Sequence, residues 1–277
     1  MTVFTTALLA GLLVGLLSGL VGTIVVLRER AFFTVALTHA TFPGGVAAAL
    51  LGLNVVIGAG VMGLALVGLM LVLGRIRRQG QQVAAGIVLS FGYALGIFLH
   101  SLNPQLPVKV ESYLTGTILA MSPTNITIIA VTLAVTVLVL LLFWKQLLFS
   151  TFDRAGFEAA GHREWRAEIL TLLLITAAVV ATMPAIGSIL AIAMIAAPAA
   201  AARLITERIT VLVPLACALG ATAAIAGLYA SRWFNLAAGG SMALAATAIF
   251  MVALAISRLR RRVTPRAESS LATAVAR

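Results

Sequence analysis

Charge is what this chain has least of. Only 10% of its 277 residues are Asp, Glu, Lys or Arg, while 62% are hydrophobic. A water-soluble domain needs a polar exterior, so that class is excluded and lipid is the natural solvent. The single cysteine, Cys217, rules out an internal disulfide and a cysteine cluster for metal. The two lysines, Lys109 and Lys145, do not follow a glycine, so the Gly-Lys loop that cradles nucleotide phosphates is missing. An HExxH pattern, a GxSxG elbow and paired carboxylates inside an apolar run are also missing, which argues against an intrinsic catalytic site.

The eight acids are placed tellingly. Glu29, Glu111, Asp153, Glu158, Glu164, Glu168, Glu207 and Glu268 all lie in loops or at the ends of apolar runs. Carriers driven by protons or sodium often keep a carboxylate at mid-membrane, so the pattern counts against self-powered transport. The net charge is +11, but the basic residues fall in short loops between apolar runs. That pattern orients helices in a membrane, and it implies no nucleic-acid partner.

What the chain has in abundance is apolar length. Runs cover about 3–27, 31–53, 54–74, 83–102, 124–149, 168–183, 185–202, 209–229 and 239–257. The longer ones can each cross about 30 Å of hydrocarbon at about 1.5 Å per residue. The expected fold is therefore all-α and polytopic, with about nine transmembrane helices, eight to ten being allowed. The runs 168–183 and 185–202 are short and meet at "MPAIGS", so a tilt or break is expected there. Residues 113–121 are apolar but too short to span, and read as a half-helix or re-entrant turn.

Orientation follows from the arginines and lysines. With loops 28–30, 75–82, 150–167 and 203–208, Lys145 and the tail from Arg258 inside, seventeen of nineteen basic residues are cytoplasmic. Only Lys109 and Arg232 then lie outside. The amino terminus is expected outside and the carboxyl terminus in the cytoplasm, with a bacterial inner membrane as the setting. The first charge is Arg28, so the opening segment reads as a retained span and not as a cleaved leader. Residues 1–257 form the transmembrane domain, and 258–277 a basic, flexible tail whose first arginines meet lipid headgroups.

Small residues and prolines mark the packing. Gly11, Gly15 and Gly19, with Ser18 and Gly22 nearby, make a stripe along the first span, and Gly92 and Gly96 repeat the device. Such stripes let helices approach closely, within one subunit by default or across a dimer seam as the alternative. Pro43, Pro184, Pro198 and Pro214 lie in or beside spans, where each kinks or breaks its helix.

The segment "ALTHATFPGG", residues 36–45, sets a histidine beside a helix breaker within an apolar run. His39 and His100 are the only ionisable side chains expected inside the bilayer, and His100 lies near the outer end of its run. The surrounding stretch, "VVLRERAFFTVALTHATFPGGVAAALLG", resembles the signature of permease subunits from zinc- and manganese-type ATP-binding cassette importers. Leu27, Arg28, Ala31, Phe32, Ala36, Leu37, His39, Ala40, Pro43 and Gly44 match it in register. "SYLTGTILAMS", "FDRAGFEAAG", "IGSILAIAMIAAPAAAARLIT" and "AGLYASRWFNLAAGGSM" resemble further blocks of that family in the same order.

The resemblance implies a partnership. Two copies of such a permease form a pore, two separate ATPases dock inside, and an external binding protein or lipoprotein delivers a divalent ion such as zinc, manganese or iron. ATP and magnesium would then belong to the partner ATPase, with no cofactor bound by this chain. Residues 150–167 would supply the short coupling helix, with Phe152, Asp153, Phe157, Ala159 and Gly161 in the matching block. The substrate path would pass His39, with Thr34, Thr38, Pro43 and Gly44 beside it. The family carries an aspartate four residues before its histidine, and here that position is Val35. A chelated metal or cobalamin-like ligand, and a self-powered secondary carrier, are the alternatives to a bare divalent ion.

Overall fold

In hydrocarbon a chain must satisfy its own backbone polar groups, and an apolar segment does so by folding as a helix. The structure, a computed structural model, describes residues 3–73, 81–102 and 116–263. The helices are α1 (Val3–Leu27), α2 (Ala31–Ala40), α3 (Phe42–Leu50), α4 (Val55–Leu73), α5 (Gln81–Leu102), α6 (Pro123–Phe152), α7 (Arg154–Ala159), α8 (Glu164–Ile186), α9 (Ser188–Ile205), α10 (Ile209–Phe234) and α11 (Ala238–Val263). Among the described residues nine stretches are long and apolar enough to cross a membrane, with α2 and α3 together making one, and no strand occurs. The expected all-α polytopic fold is what this sequence adopts.

The first helix is the axis of the bundle, packed by α6, α8, α9 and α10. Its glycine stripe is spent on those contacts within the chain. A β-carbon on Gly19 would fall 2.4 Å from the Ala216 carbonyl oxygen, and one on Gly22 would fall 1.9 Å from that of Ile195. Any side chain there would push the helices apart, so dispersion across touching backbones holds this centre together. Gly92 and Gly96 on α5 act likewise, against Ala40 and Phe42.

Several boundaries differ from the sequence reading. The run 31–53 is two helices meeting at Thr41, whose hydroxyl and N–H both donate to the Leu37 carbonyl at 3.0 and 3.1 Å. Pro43 therefore opens α3 instead of closing α2; in a first turn its missing N–H costs nothing. The run 168–183 is not short, because α8 begins at Glu164 and spans 23 residues. Pro184 lies inside that helix, and the break comes at Gly187, with φ 81° and ψ 164°. Only glycine adopts that conformation readily.

α6 extends to Phe152 and has 30 residues, about 45 Å at 1.5 Å per residue, so it projects beyond a bilayer core. The last helix continues past residue 257 to Val263, and the rest of the tail, 264–277, lies outside the described residues. Of the apolar piece 113–121, residues 113–115 also lie outside them. Ile118–Ala120 form a single 3-10 turn, with Ile118 buried. The Thr117 N–H donates to the Pro184 carbonyl at 3.0 Å, so this turn is tied to the α8–α9 break.

Candidate functional site

His39 lies one residue before the end of α2, and it is half-buried. Its Nδ1 stands 2.9 Å from the Thr38 hydroxyl and 3.2 Å from the Val35 carbonyl oxygen. The Thr38 hydroxyl donates its own hydrogen to that carbonyl at 2.8 Å. A carbonyl only accepts, so the 3.2 Å contact is a hydrogen bond in the tautomer that carries its hydrogen on Nδ1. In that tautomer Nε2 keeps a lone pair for a cation. The local sequence alone sets this geometry, since Val35 and His39 are one helical turn apart.

The neighbours divide into distinct roles. Thr34 and Thr38 are fully buried, and the Thr34 hydroxyl donates to the Arg30 carbonyl at 3.0 Å. Both hydroxyls are thus committed to their own helix, Thr38 as the support of the imidazole. Val35, in the position one turn before His39, is half-buried and adds no charge. Gly44 packs against α4, where a β-carbon would lie 2.3 Å from the Gly58 carbonyl oxygen. Pro43 and Gly44 line an apolar cleft of about 410 Å³ between α3, α4 and α5, and His39 is not among its lining residues.

One residue of this site was missed by the sequence reading. Tyr93 of α5 meets the His39 ring edge-on, with centroids 5.8 Å apart and an interplanar angle of 69°. Gly92 and Gly96 had marked α5 as a closely packed helix, and Tyr93 lies between them on the same approach. That contact was the available signal. Among the described residues no three His, Cys, Asp or Glu side chains gather where they could hold a metal ion.

The second expected site, 150–167, forms a hairpin between α6 and α8. Asp153 caps α7, accepting the Gly156 N–H at 2.8 Å. Phe157 is buried, edge-on to Phe149 at 5.5 Å and stacked on His162 at 4.9 Å. Gly161 ends the hairpin at φ 81° with open space around its α-carbon, so backbone conformation, not crowding, selects glycine there. Phe152 is 62% exposed, and Ala159 is exposed on α7. Asp153, Phe157 and Gly161 therefore shape the hairpin, while Phe152 and Ala159 lie on its exposed surface.

A buried ion cluster lies beside this hairpin. Glu168 of α8 pairs with Arg30 at 2.8 Å and with Arg28 at 3.6 Å, all three side chains being largely buried. Desolvation draws the Arg28 guanidinium below its ordinary value, and the Glu168 carboxylate opposes that effect. Arg154 and Glu164 form a second, more exposed pair across the hairpin.

The ABC 3 transport family model matches residues 1–257. The chain is 34% identical over 236 residues to the manganese transport system membrane protein MntC of Listeria monocytogenes, covering 84% of this chain and 83% of that protein. It is 34% identical over 250 residues to the zinc transport system membrane protein TroC of Treponema pallidum, covering 87% and 84%. Its fold matches PsaBC from Streptococcus pneumoniae, solved with a Fab, at a TM-score of 0.81 and 32% identity over 91% of both chains.

Proposed function

This chain belongs to the ABC 3 transport family, and from that premise we propose that it is the membrane-spanning permease of an importer for a divalent metal ion. Manganese and zinc are the cargo named for its relatives MntC and TroC. ATP is hydrolysed by a separate pair of cytoplasmic ATPases, an external binding protein delivers the ion, and a second copy of this chain completes the pore. The amino terminus faces outward and the loop 150–167 faces the cytoplasm, an orientation that the placement of basic residues supports.

The observation that carries this reading is the geometry of His39. Nδ1 lies against the Thr38 hydroxyl and the Val35 carbonyl, and the tautomer that donates there offers Nε2 as a borderline-soft ligand of the kind zinc and manganese accept. One imidazole is too little for a dication in a low-dielectric path. A two-fold arrangement supplies a second imidazole, and water completes the shell.

The test is uptake of a panel of metals by the permease reconstituted with its ATPase and binding protein. ATP-dependent entry of one or more divalent ions is expected, and none from liposomes holding this chain alone. Flux from the chain alone would overturn the reading. Val35 favours one second reading, a metal arriving with its own chelator, because such a substrate needs no carboxylate from the path. Uptake that requires the chelator would select it.

A further inference from the structure

We infer that Arg28, Arg30 and Glu168 form the mechanical link by which movement of the ATPase-facing hairpin reaches the helix that carries His39. The inference rests on the permease reading above and extends it to residues outside the hairpin surface and the His39 site. They are positioning residues.

The link begins at a corner without slack. α1 ends with Glu29 at φ 57°, and the Arg30 N–H donates back to the Val25 carbonyl at 2.8 Å. This closes the last turn of α1 in the manner of a glycine-terminated helix, but with a residue that pays strain to be there. α2 starts at once, at Ala31. From Arg30 to His39 is nine residues of continuous helix, about 14 Å of rigid rod at 1.5 Å per residue. A displacement at the corner is therefore delivered to His39.

Arg28 grips both arms of the hairpin from inside. On the α6 arm its guanidinium donates to the Thr151 hydroxyl at 3.0 Å, to the Leu147 carbonyl at 3.3 Å and to the Ser150 hydroxyl. On the α8 arm it donates to the Ala167 carbonyl at 3.5 Å and pairs with Glu168. Arg30 holds the same carboxylate at 2.8 Å. The coupling helix α7 hangs between these two arms, so it cannot shift as a rigid body without pulling on the corner. A planar, permanently charged fork suits such a joint, because several directed bonds must move together. Three mostly buried charges are also an expensive way to join helices when apolar contacts would serve, which is consistent with a role beyond packing.

The test measures ions imported per ATP hydrolysed by the full complex, alongside thermal stability and co-purification with the ATPase. Glu168→Gln is expected to lower that ratio at least tenfold while the complex still assembles and hydrolyses ATP. Glu168→Asp, which keeps a carboxylate between Arg28 and Arg30, should retain much of the ratio. Where Glu168→Gln fails to fold, Ser150→Ala combined with Thr151→Val strips hydroxyl contacts from Arg28 without stranding a charge. That double variant should lower the ratio two- to threefold. A folded Glu168→Gln complex, or failing it a folded double variant, whose ratio matches the wild type would overturn the link. Absence of ATP-driven uptake by the wild-type complex would overturn the permease reading and this inference with it.

Discussion

Gly15 and Gly220 touch through their backbones: a β-carbon on Gly15 would lie 2.4 Å from the Gly220 carbonyl oxygen, and one on Gly220 would lie 2.2 Å from that of Gly15. The contact is reciprocal and involves no movable side chain, so neither helix can yield locally. Gly15→Ala should lower the melting temperature of the detergent-purified protein, by an overpacking cost of about 1–3 kcal/mol. Gly68 on α4 is the comparison, since a β-carbon there meets nothing within 4 Å. Gly68→Ala should leave the melting temperature unchanged or raise it, because alanine favours the helix by about 1 kcal/mol.

The same stripe illustrates what the sequence revealed and what it withheld. Glycines four residues apart in an apolar run announced close helix packing, and the number of crossings followed from run lengths alone. The start of α8 was hidden because Glu164 and Arg166 read as part of the charged loop 150–167, with the run beginning only at Glu168. Glu168 is largely buried on that helix, where Arg28 and Arg30, more than a hundred residues away in sequence, pair with it. The bend at Thr41 was misplaced for a similar reason. Proline and glycine are visible as breakers, whereas a threonine that returns its hydroxyl to the helix is not. His39 stood out through a local motif, while Tyr93 reaches it only across a helix–helix contact.

In the hairpin, two phenylalanines five residues apart should behave oppositely. Phe157 is 3% exposed and Phe152 is 62% exposed. Phe157→Ala should destabilise the isolated permease by about 3–5 kcal/mol, as large-to-small changes in a packed site do. Phe152→Ala should leave that stability within about 0.5 kcal/mol. It should instead weaken ATPase binding at least tenfold, as loss of an exposed aromatic anchor does. Melting curves of the permease and titration with the ATPase separate the two effects.

Removing the imidazole should stop transport without disturbing assembly. His39→Ala is expected to reduce metal uptake to background while the complex with ATPase purifies intact. Thr38→Val keeps the shape but removes the hydroxyl that braces Nδ1 at 2.9 Å. Its effect should be smaller, about a tenfold loss of apparent affinity for the ion, in line with the loss of a partner that orients a ligating histidine. Uptake measured against ion concentration distinguishes the two variants, and normal uptake by His39→Ala would remove that residue from the path.

Val35 offers the sharpest test of what is carried. It lies one helical turn before His39, and a carboxylate there would sit on the same face as the imidazole. For a bare dication, Val35→Asp adds a charged ligand to a site that otherwise depends on neutral groups. The apparent KM should fall at least tenfold. Tighter holding also slows release, so maximal uptake per complex should fall as well. A chelated metal brings its own anionic ligands, and a new negative charge on the path would repel it. In that case KM rises. Uptake curves for the free ion and for its chelate, with wild type and Val35→Asp side by side, therefore separate the two cargoes by the sign of one change.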